Sequence, residues 1–99
     1  MITIGGRKYR LSFVDKIGDN GDWGKISIEN RTILIKRIGN EEEQKRTFLH
    51  EVVHGFFSEL GGVVEGDEEL ICDGLANQLY LFIKKNGAEI DWIRKGAIG

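Results

Sequence analysis

The spacing of apolar residues changes near Asn40, and this change limits the folds that the chain can adopt. Before it, Tyr9, Leu11 and Phe13 alternate with polar residues, which is the pattern of a strand with one buried face. Gly5-Gly6 interrupts the first apolar run and is typical of a tight hairpin. The pattern predicts a small antiparallel sheet of strands at Ile2–Ile4, Arg7–Val14, Lys25–Glu29 and Thr32–Ile38.

After Asn40 the apolar spacing becomes helical. Asn40 can cap a helix, Glu43 lies at the capping-box position, and acidic residues favour the positive end of the helix dipole. This helix is predicted to end near Leu60, at a glycine pair. A second helix is predicted from Asp67 to about Asn86, and the tail EIDWIRKGAIG fits either a short helix or a closing strand. A sheet followed by helices predicts one α+β domain over residues 1–99.

The composition argues against several functions. The formal net charge is −2, from 14 basic and 16 acidic side chains, whereas a nucleic-acid-binding domain normally has a basic surface. No apolar run is long enough to cross a bilayer, and the N-terminal residues lack the apolar core of a signal peptide. The single cysteine, Cys72, excludes an internal disulfide and fits a reducing compartment. We therefore expect a cytoplasmic protein that binds neither nucleic acid nor membrane.

Both histidines of the chain lie in one His-Glu-x-x-His motif, within TFLHEVVHGFF. Because an α-helix turns about 100° per residue, His50 and His54 point the same way, one turn apart. Two imidazoles at this spacing can chelate one ion, while Glu51 points one step further around and can reach a water on that ion. The alternative is a helix whose histidines only border the core. A metal site is favoured because the motif contains every histidine of the chain.

A catalytic zinc site needs a third protein ligand and an open position for water. Without another histidine, the third ligand must be an aspartate, a glutamate or Cys72. Asp73, with Glu69 one turn earlier, lies on a strip of the second helix that can face the histidines if the apolar arcs of the helices pack together. Cys72 lies nearer the apolar arc and is interpreted as a small buried residue. The predicted arcs are Leu49, Val52, Val53, Phe56 and Leu60 on the first helix, and Ile71, Leu75, Leu79, Phe82 and Ile83 on the second.

The segments TFLHEVVHGFF and ICDGLANQLYLFI together resemble the zincin metallopeptidases. Within the zincins, the chain resembles the ImmA/IrrE-type group and short metallopeptidase-like proteins of phages and mobile elements, over about residues 24–86. In that group the second helix carries Glu-x-x-Ala-Asn, and its glutamate is the third zinc ligand. The matching segment here begins at Asp73, so the resemblance assigns the third position to Asp73, with Glu69 as the second choice. Aspartate is one methylene shorter than the glutamate of the family pattern.

The resemblance implies a peptidase that uses Zn²⁺. Zinc lowers the pKa of a bound water to about 7, and Glu51 would act as the general base for it. Tyr80, on the same strip as Asp73, is a candidate donor to the oxyanion, although half-buried packing is the simpler interpretation. The strand Thr32 to Lys36 is expected to border the cleft and to pair with an extended substrate. The expected partner is a protein or peptide, such as a repressor.

Two other functions fit the same residues. One is a zinc-binding interaction protein that has lost proteolysis, which the short chain and Asp73 favour. The other is a metal-free binding module whose histidines are incidental. Glu51 favours the peptidase, because a structural site has no use for a base beside an open coordination position. We therefore expect a zinc endopeptidase, with the interaction protein as the alternative.

Overall fold

Four strands and three helices make up the part of the chain that a computed structural model describes, residues 1–18, 21–62 and 65–96. The strands are β1 (Ile2–Ile4), β2 (Arg7–Val14), β3 (Gly24–Ser27) and β4 (Thr32–Lys36). The helices are α1 (Glu41–Glu59), α2 (Glu68–Lys85) and α3 (Gly87–Lys95). The prediction of a small α+β fold is confirmed. The tail forms a helix to residue 95, and its residues 97–99 lie outside the described ranges.

The sheet is mixed, with the strand order β1-β2-β4-β3. The pairs β1–β2 and β3–β4 are antiparallel, but β2 and β4 run parallel, with Leu11 opposite Ile33. The prediction of an antiparallel sheet is therefore wrong for this pair. After β2 the chain skips one strand position and returns as β3 at the edge, and β4 then fills the gap. Alternating apolar residues indicate the faces of strands but not their order in a sheet.

One face of the sheet packs against α1. Ile33 and Ile35, two residues apart on β4, are fully buried there. Gly55 of α1 is also buried, and a Cβ added to it would lie 2.9 Å from the side chain of Ile4. The absence of a side chain thus lets the helix lie close to the sheet. The buried cluster consists of Ile4, Tyr9, Ile33, Ile35 and Val52.

The capping residues of both long helices agree with the sequence. The side chain of Asn40 accepts a hydrogen bond of 2.8 Å from the backbone N–H of Glu43. The side chain of Asp67 accepts one of 3.3 Å from a backbone N–H three residues later. Because Asp67 fixes the start of α2, Glu68 and Glu69 lie in the first turn of that helix.

The predicted apolar arcs are only partly right. On α1, Val52 and Val53 are buried, but Phe56 and Leu60 are exposed, since Gly55 rather than Phe56 faces the sheet. On α2 the predicted arc is largely exposed, including Leu75, Phe82 and Ile83. The buried residues of α2 are instead Cys72, Ala76 and Tyr80.

The rotation of α2 has a physical reason. Cys72 and Ala76 are small, so the side of α2 that carries them can approach α1 closely. The same rotation turns Glu69 and Asp73 towards the histidines of α1. A prediction based on the largest apolar residues does not take these contacts between carboxylates and histidines into account. The interface between α1 and α2 therefore combines small buried residues with ionisable ones.

Helix α3 contacts α2 and no other element of the described ranges. Trp92 and Ile93 of α3 are exposed, as are the apolar residues of the neighbouring part of α2. None of the helices within residues 1–18, 21–62 and 65–96 has the length and apolar character needed to cross a membrane.

Candidate metal centre

The two histidines of the motif lie side by side on α1. They are four residues apart, about one helical turn, so their rings project in the same direction. The Nε2 atoms of His50 and His54 are 3.1 Å apart, and the ring centroids are 4.8 Å apart. Both side chains are largely buried. The helix thus presents two imidazole nitrogens to one point in space.

Glu69 of α2 lies at that point. Its Oε1 is 2.6 Å from Nε2 of His54, and its Oε2 is 3.1 Å from Nε2 of His50. One ligand atom from each of His50, His54 and Glu69 can be chosen so that all lie within 4.8 Å of one another. A single carboxylate therefore spans both histidines from the facing helix.

Two further carboxylates contact the other sides of the imidazole rings. Oδ1 of Asp73 is 2.7 Å from Nδ1 of His50, and Oε2 of Glu68 is 2.7 Å from Nδ1 of His54. An Nδ1–H that donates to a carboxylate fixes the tautomer of a neutral imidazole and leaves Nε2 as an acceptor. Such hydrogen bonds also hold the ring orientation of metal-bound histidines. Each histidine here has one carboxylate in this position.

The three inner residues fit a zinc ion. Zinc bonds of about 2.0–2.2 Å to nitrogen and oxygen in a tetrahedron separate neighbouring ligand atoms by roughly 3.3 Å. The distances among the Nε2 atoms and the Glu69 oxygens are 2.6 to 3.1 Å, so small side-chain shifts would accommodate the ion. Two histidines and one carboxylate also form a donor set of catalytic zinc sites, which keep a fourth position open.

The predicted third ligand and its second choice differ in position. Glu69 contacts Nε2 of both histidines, whereas Asp73 contacts only Nδ1 of His50. The geometry therefore favours Glu69 as the ligand and gives Asp73 the position of an orienting carboxylate. The predicted strip of α2 does face the histidines. The residue of that strip that contacts both Nε2 atoms is Glu69, one turn before Asp73.

Tyr80 is not brought into the cleft. It is buried, and its ring lies under the guanidinium of Arg46, 5.1 Å from ring centroid to Cζ. Lys84 covers the same ring at 5.6 Å. This position agrees with the packing interpretation of Tyr80. Arg46 itself lines the cleft, one turn before His50 on α1.

Glu51 is the buried charged residue of the described ranges, with 7% of its surface exposed. Burial raises the pKa of Glu51 above its ordinary value of 4.5, and the charges of His50 and His54 oppose this only in part. A Cβ added to Gly24 of β3 would lie 3.1 Å from Oε2 of Glu51. The glycine thus leaves space for the carboxylate beside the edge strand. A buried carboxylate with a raised pKa next to two histidines is typical of a general base.

The charges of the cluster act on His54 and Cys72 as well. Burial alone would lower the pKa of His54, but the hydrogen bond to Glu68 and the charges of Glu69 and Glu51 raise it above its ordinary value of 6.5. Burial, together with the charge of Glu68, raises the pKa of Cys72 to about 12. The metal-free cluster therefore retains protons that a metal ion would have to displace.

These residues lie in a cleft of about 740 Å³ between α1, α2 and β3. Trp23, Gly24 and Ile26 form its wall on the sheet side. The strand that borders the cleft is therefore β3. The expectation that β4 offers a free edge there is wrong, because β4 is paired on both sides, with β2 and with β3.

Several residues of the site were missed at the level of sequence. Glu68 is not among the residues that the sequence predicts for the site, although its position next to Glu69 is a usable signal. Gly24 and Trp23 lie in the glycine-rich segment GDNGDWG, and no local pattern links them to the motif. A comparison with protein-family models gives no match for this chain, and a comparison with curated proteins gives none either. The chemistry of the cluster is thus the basis for a functional proposal.

Proposed function

We propose that the protein is a zinc-dependent metallopeptidase whose metal ligands are His50, His54 and Glu69. The supporting observation is a convergence of possible ligand atoms: both Nε2 atoms meet the two oxygens of Glu69, while the Nδ1 atoms face other carboxylates. When each neutral imidazole donates its Nδ1–H to its own carboxylate, the two Nε2 lone pairs face the Glu69 oxygens, and a proton or a cation between them relieves the repulsion. A zinc ion would supply that charge and would accept this donor set.

The proposed chemistry is hydrolysis of a peptide bond. When bound, zinc would polarise the scissile carbonyl and activate a water molecule. Glu51 takes a proton from the attacking water and delivers it to the nitrogen of the leaving amine as the carbon–nitrogen bond breaks. The raised pKa of Glu51 suits this task, because the group must both accept and release a proton near neutral pH. Asp73 and Glu68 hold the two imidazole rings in place.

The proposed substrate is an extended segment of a protein or peptide. Strand β3 lies at the end of the sheet, so one of its edges has no partner strand among the described residues. Three residues of β3, Gly24, Lys25 and Ile26, line the cleft. A substrate that adds to this edge by backbone hydrogen bonds would pass Gly24 and so come next to Glu51. Arg46 is a better candidate than Tyr80 for contact with a substrate carbonyl oxygen, since its side chain lines the cleft.

Metal content and turnover test the proposal together. Purified without chelators, the wild type should hold about one zinc per chain and cleave members of a broad peptide library. Glu51→Gln should lower turnover roughly 100- to 10,000-fold while zinc content is unchanged. Glu41→Gln, on the exposed first turn of the same helix, is the matched control and should retain full activity.

The alternative is a zinc-binding interaction protein without proteolysis. The exposed apolar residues of α2 and α3, among them Phe82 and Trp92, favour this role because such surfaces often contact partners. A wild type that holds zinc but cleaves no peptide, with Glu51→Gln indistinguishable from it, would support the interaction protein. A chain that holds no zinc would contradict both. A repressor as substrate and an origin in phages or mobile elements are proposals that rest on the resemblance to zincins.

A further inference from the structure

His54 takes part in a second group of metal-ligating atoms. Its Nδ1 lies 2.7 Å from Oε2 of Glu68, and the fully buried Cys72 belongs to the same group. Ligand atoms of His54, Glu68 and Cys72 all lie within 4.8 Å of one another. Glu68 and Cys72 are four residues apart on α2, so both face the same imidazole from one side of that helix. The group combines one sulfur, one nitrogen and one oxygen donor.

The donor set differs in chemistry from the inner site. A thiolate is a soft ligand and selects thiophilic ions, whereas two imidazoles and a carboxylate suit zinc without preferring softer ions. Glu68 is partly exposed and lines the cleft, so an ion can reach the group from that side. On binding, the thiol proton of Cys72 would leave to solvent and a metal–sulfur bond would form.

The two groups compete for one imidazole. A neutral imidazole has one acceptor nitrogen, and the other nitrogen carries a proton. When Nε2 of His54 binds a metal with His50 and Glu69, its Nδ1–H donates to Glu68. When Nδ1 binds a metal with Glu68 and Cys72, Nε2 carries the proton and leaves the inner group. Occupation of either group therefore withdraws His54 from the other.

We propose that His54, Glu68 and Cys72 form a second, alternative site for thiophilic divalent cations, occupied in competition with the His50–His54–Glu69 site. The existence of this site does not depend on peptidase activity. An ion bound at this second site would inhibit the peptidase, because it would remove the ligand His54 from the catalytic zinc. This inhibition rests on the proposed function. Cadmium is a suitable probe, since it prefers thiolate ligands and its bond to a thiolate gives an ultraviolet charge-transfer band.

The first experiment is a titration of the zinc-free protein with Cd²⁺, followed through the thiolate-to-cadmium band. The wild type should develop the band and saturate near one equivalent. Cys72→Ser, which keeps nearly the same volume, should lose the band. Glu68→Gln and His54→Ala should weaken cadmium binding at least about tenfold. No band in the wild type, or an equally strong band in His54→Ala, would overturn the proposal.

Competition is tested by loading the protein with zinc first. In the wild type, saturating zinc should raise the cadmium midpoint of the thiolate band at least about tenfold, and one zinc should be released per cadmium bound. In His50→Ala, where the inner site is broken, the same zinc should shift the midpoint little. A thiolate band that develops while zinc stays bound would overturn the competition. The zinc content of Cys72→Ser is the control for the inner site: if it equals that of the wild type, the inner site is intact and a missing cadmium band concerns the second site alone. Circular dichroism confirms that each variant is folded.

Discussion

The two sides of α1 are held by different kinds of contact. Towards the sheet, Val52 and Phe48 pack on an apolar cluster around Ile33 and Ile35. Towards α2, the histidines meet carboxylates, and the buried residues of α2 are Cys72, Ala76 and Tyr80. Apolar packing stabilises the helix on the sheet without any ion. Under the proposed function, the α2 side gains further stability when its ligand atoms share a cation, so the two sides should respond differently to metal and to mutation.

The largest expected effect is on the α2 side, from removal of Glu69. Zinc at a hundred times its Kd should stabilise the wild type by about 2.7 kcal/mol. Glu69→Ala removes the carboxylate that spans both histidines. Removing a carboxylate that only orients a metal ligand lowers metal affinity by at most roughly 100-fold. The Glu69→Ala variant should lose more zinc affinity than that. Zinc titration against a competing chelator measures this directly. A loss below tenfold would contradict the assignment of Glu69 as a ligand.

On the sheet side, Val52→Ala should lower the free energy of unfolding by about 2 kcal/mol, because it leaves a cavity in the apolar cluster. Urea unfolding with and without zinc measures the effect. The loss should be the same in both conditions, since Val52 belongs to the apolar cluster on the sheet side. A loss that appears only with zinc bound would mean that the two sides are not separable.

An intermediate effect is expected from Asp73→Ala. Asp73 holds His50 through Nδ1 and does not reach the Nε2 atoms, so its removal should lower zinc affinity about tenfold. The contrast with Glu69→Ala, measured in the same chelator competition, decides between the two candidate ligands. If Asp73→Ala had the larger effect, the assignment suggested by the family resemblance would be correct and the one from the geometry wrong.

The smallest effect is the response of the zinc-free protein to pH. The pKa of His54 is raised in the folded chain, so its protonated form stabilises the fold below pH 6.5. This contribution is lost as the pH rises through the raised value. The raised pKa of Glu51 acts in the same direction, because the folded state again holds more protons than the unfolded one.

Melting temperatures measured in chelator should therefore fall from pH 6 towards pH 8. The slope should be smaller in Glu68→Gln, which lacks the charged partner of His54. Zinc affinity should rise over the same interval, since His54, whose pKa is raised, must lose its proton to bind the ion. Melting temperatures that rise with pH in the zinc-free protein would contradict this account of the cluster.

The sheet side of α1 was easier to predict from sequence than the α2 side. Ile33 and Ile35 alternate, Asn40 caps and the glycine pair ends the helix, and each of these signals is local. The parallel pairing of β2 with β4 depends on the path of the chain between them, which no local pattern encodes. Because β4 pairs with β2, β3 lies at the edge of the sheet and forms the wall of the cleft. The sequence does not predict this position of β3 for the same reason.

The α2 side was predicted in its residues but not in their roles. The spacing of His50 and His54 is a local property of a helix, so their proximity could be expected. Which carboxylate meets Nε2 depends on the rotation of α2, and this rotation is set by the small residues Cys72 and Ala76. A pattern of large apolar residues favours a different face, and a family motif favours Asp73. Only the packing of α2 on α1 shows that Glu69, and not Asp73, contacts the Nε2 atoms.

Crystals of the zinc-loaded protein, measured at the zinc absorption edge, test the central claim most directly. The account predicts one anomalous peak about 2.0–2.2 Å from Nε2 of His50, Nε2 of His54 and an oxygen of Glu69, with Asp73 on Nδ1 of His50 outside the coordination sphere. A peak bound by Asp73 in place of Glu69 would contradict the assigned ligands. The absence of any peak between the two histidines would contradict the metal site itself.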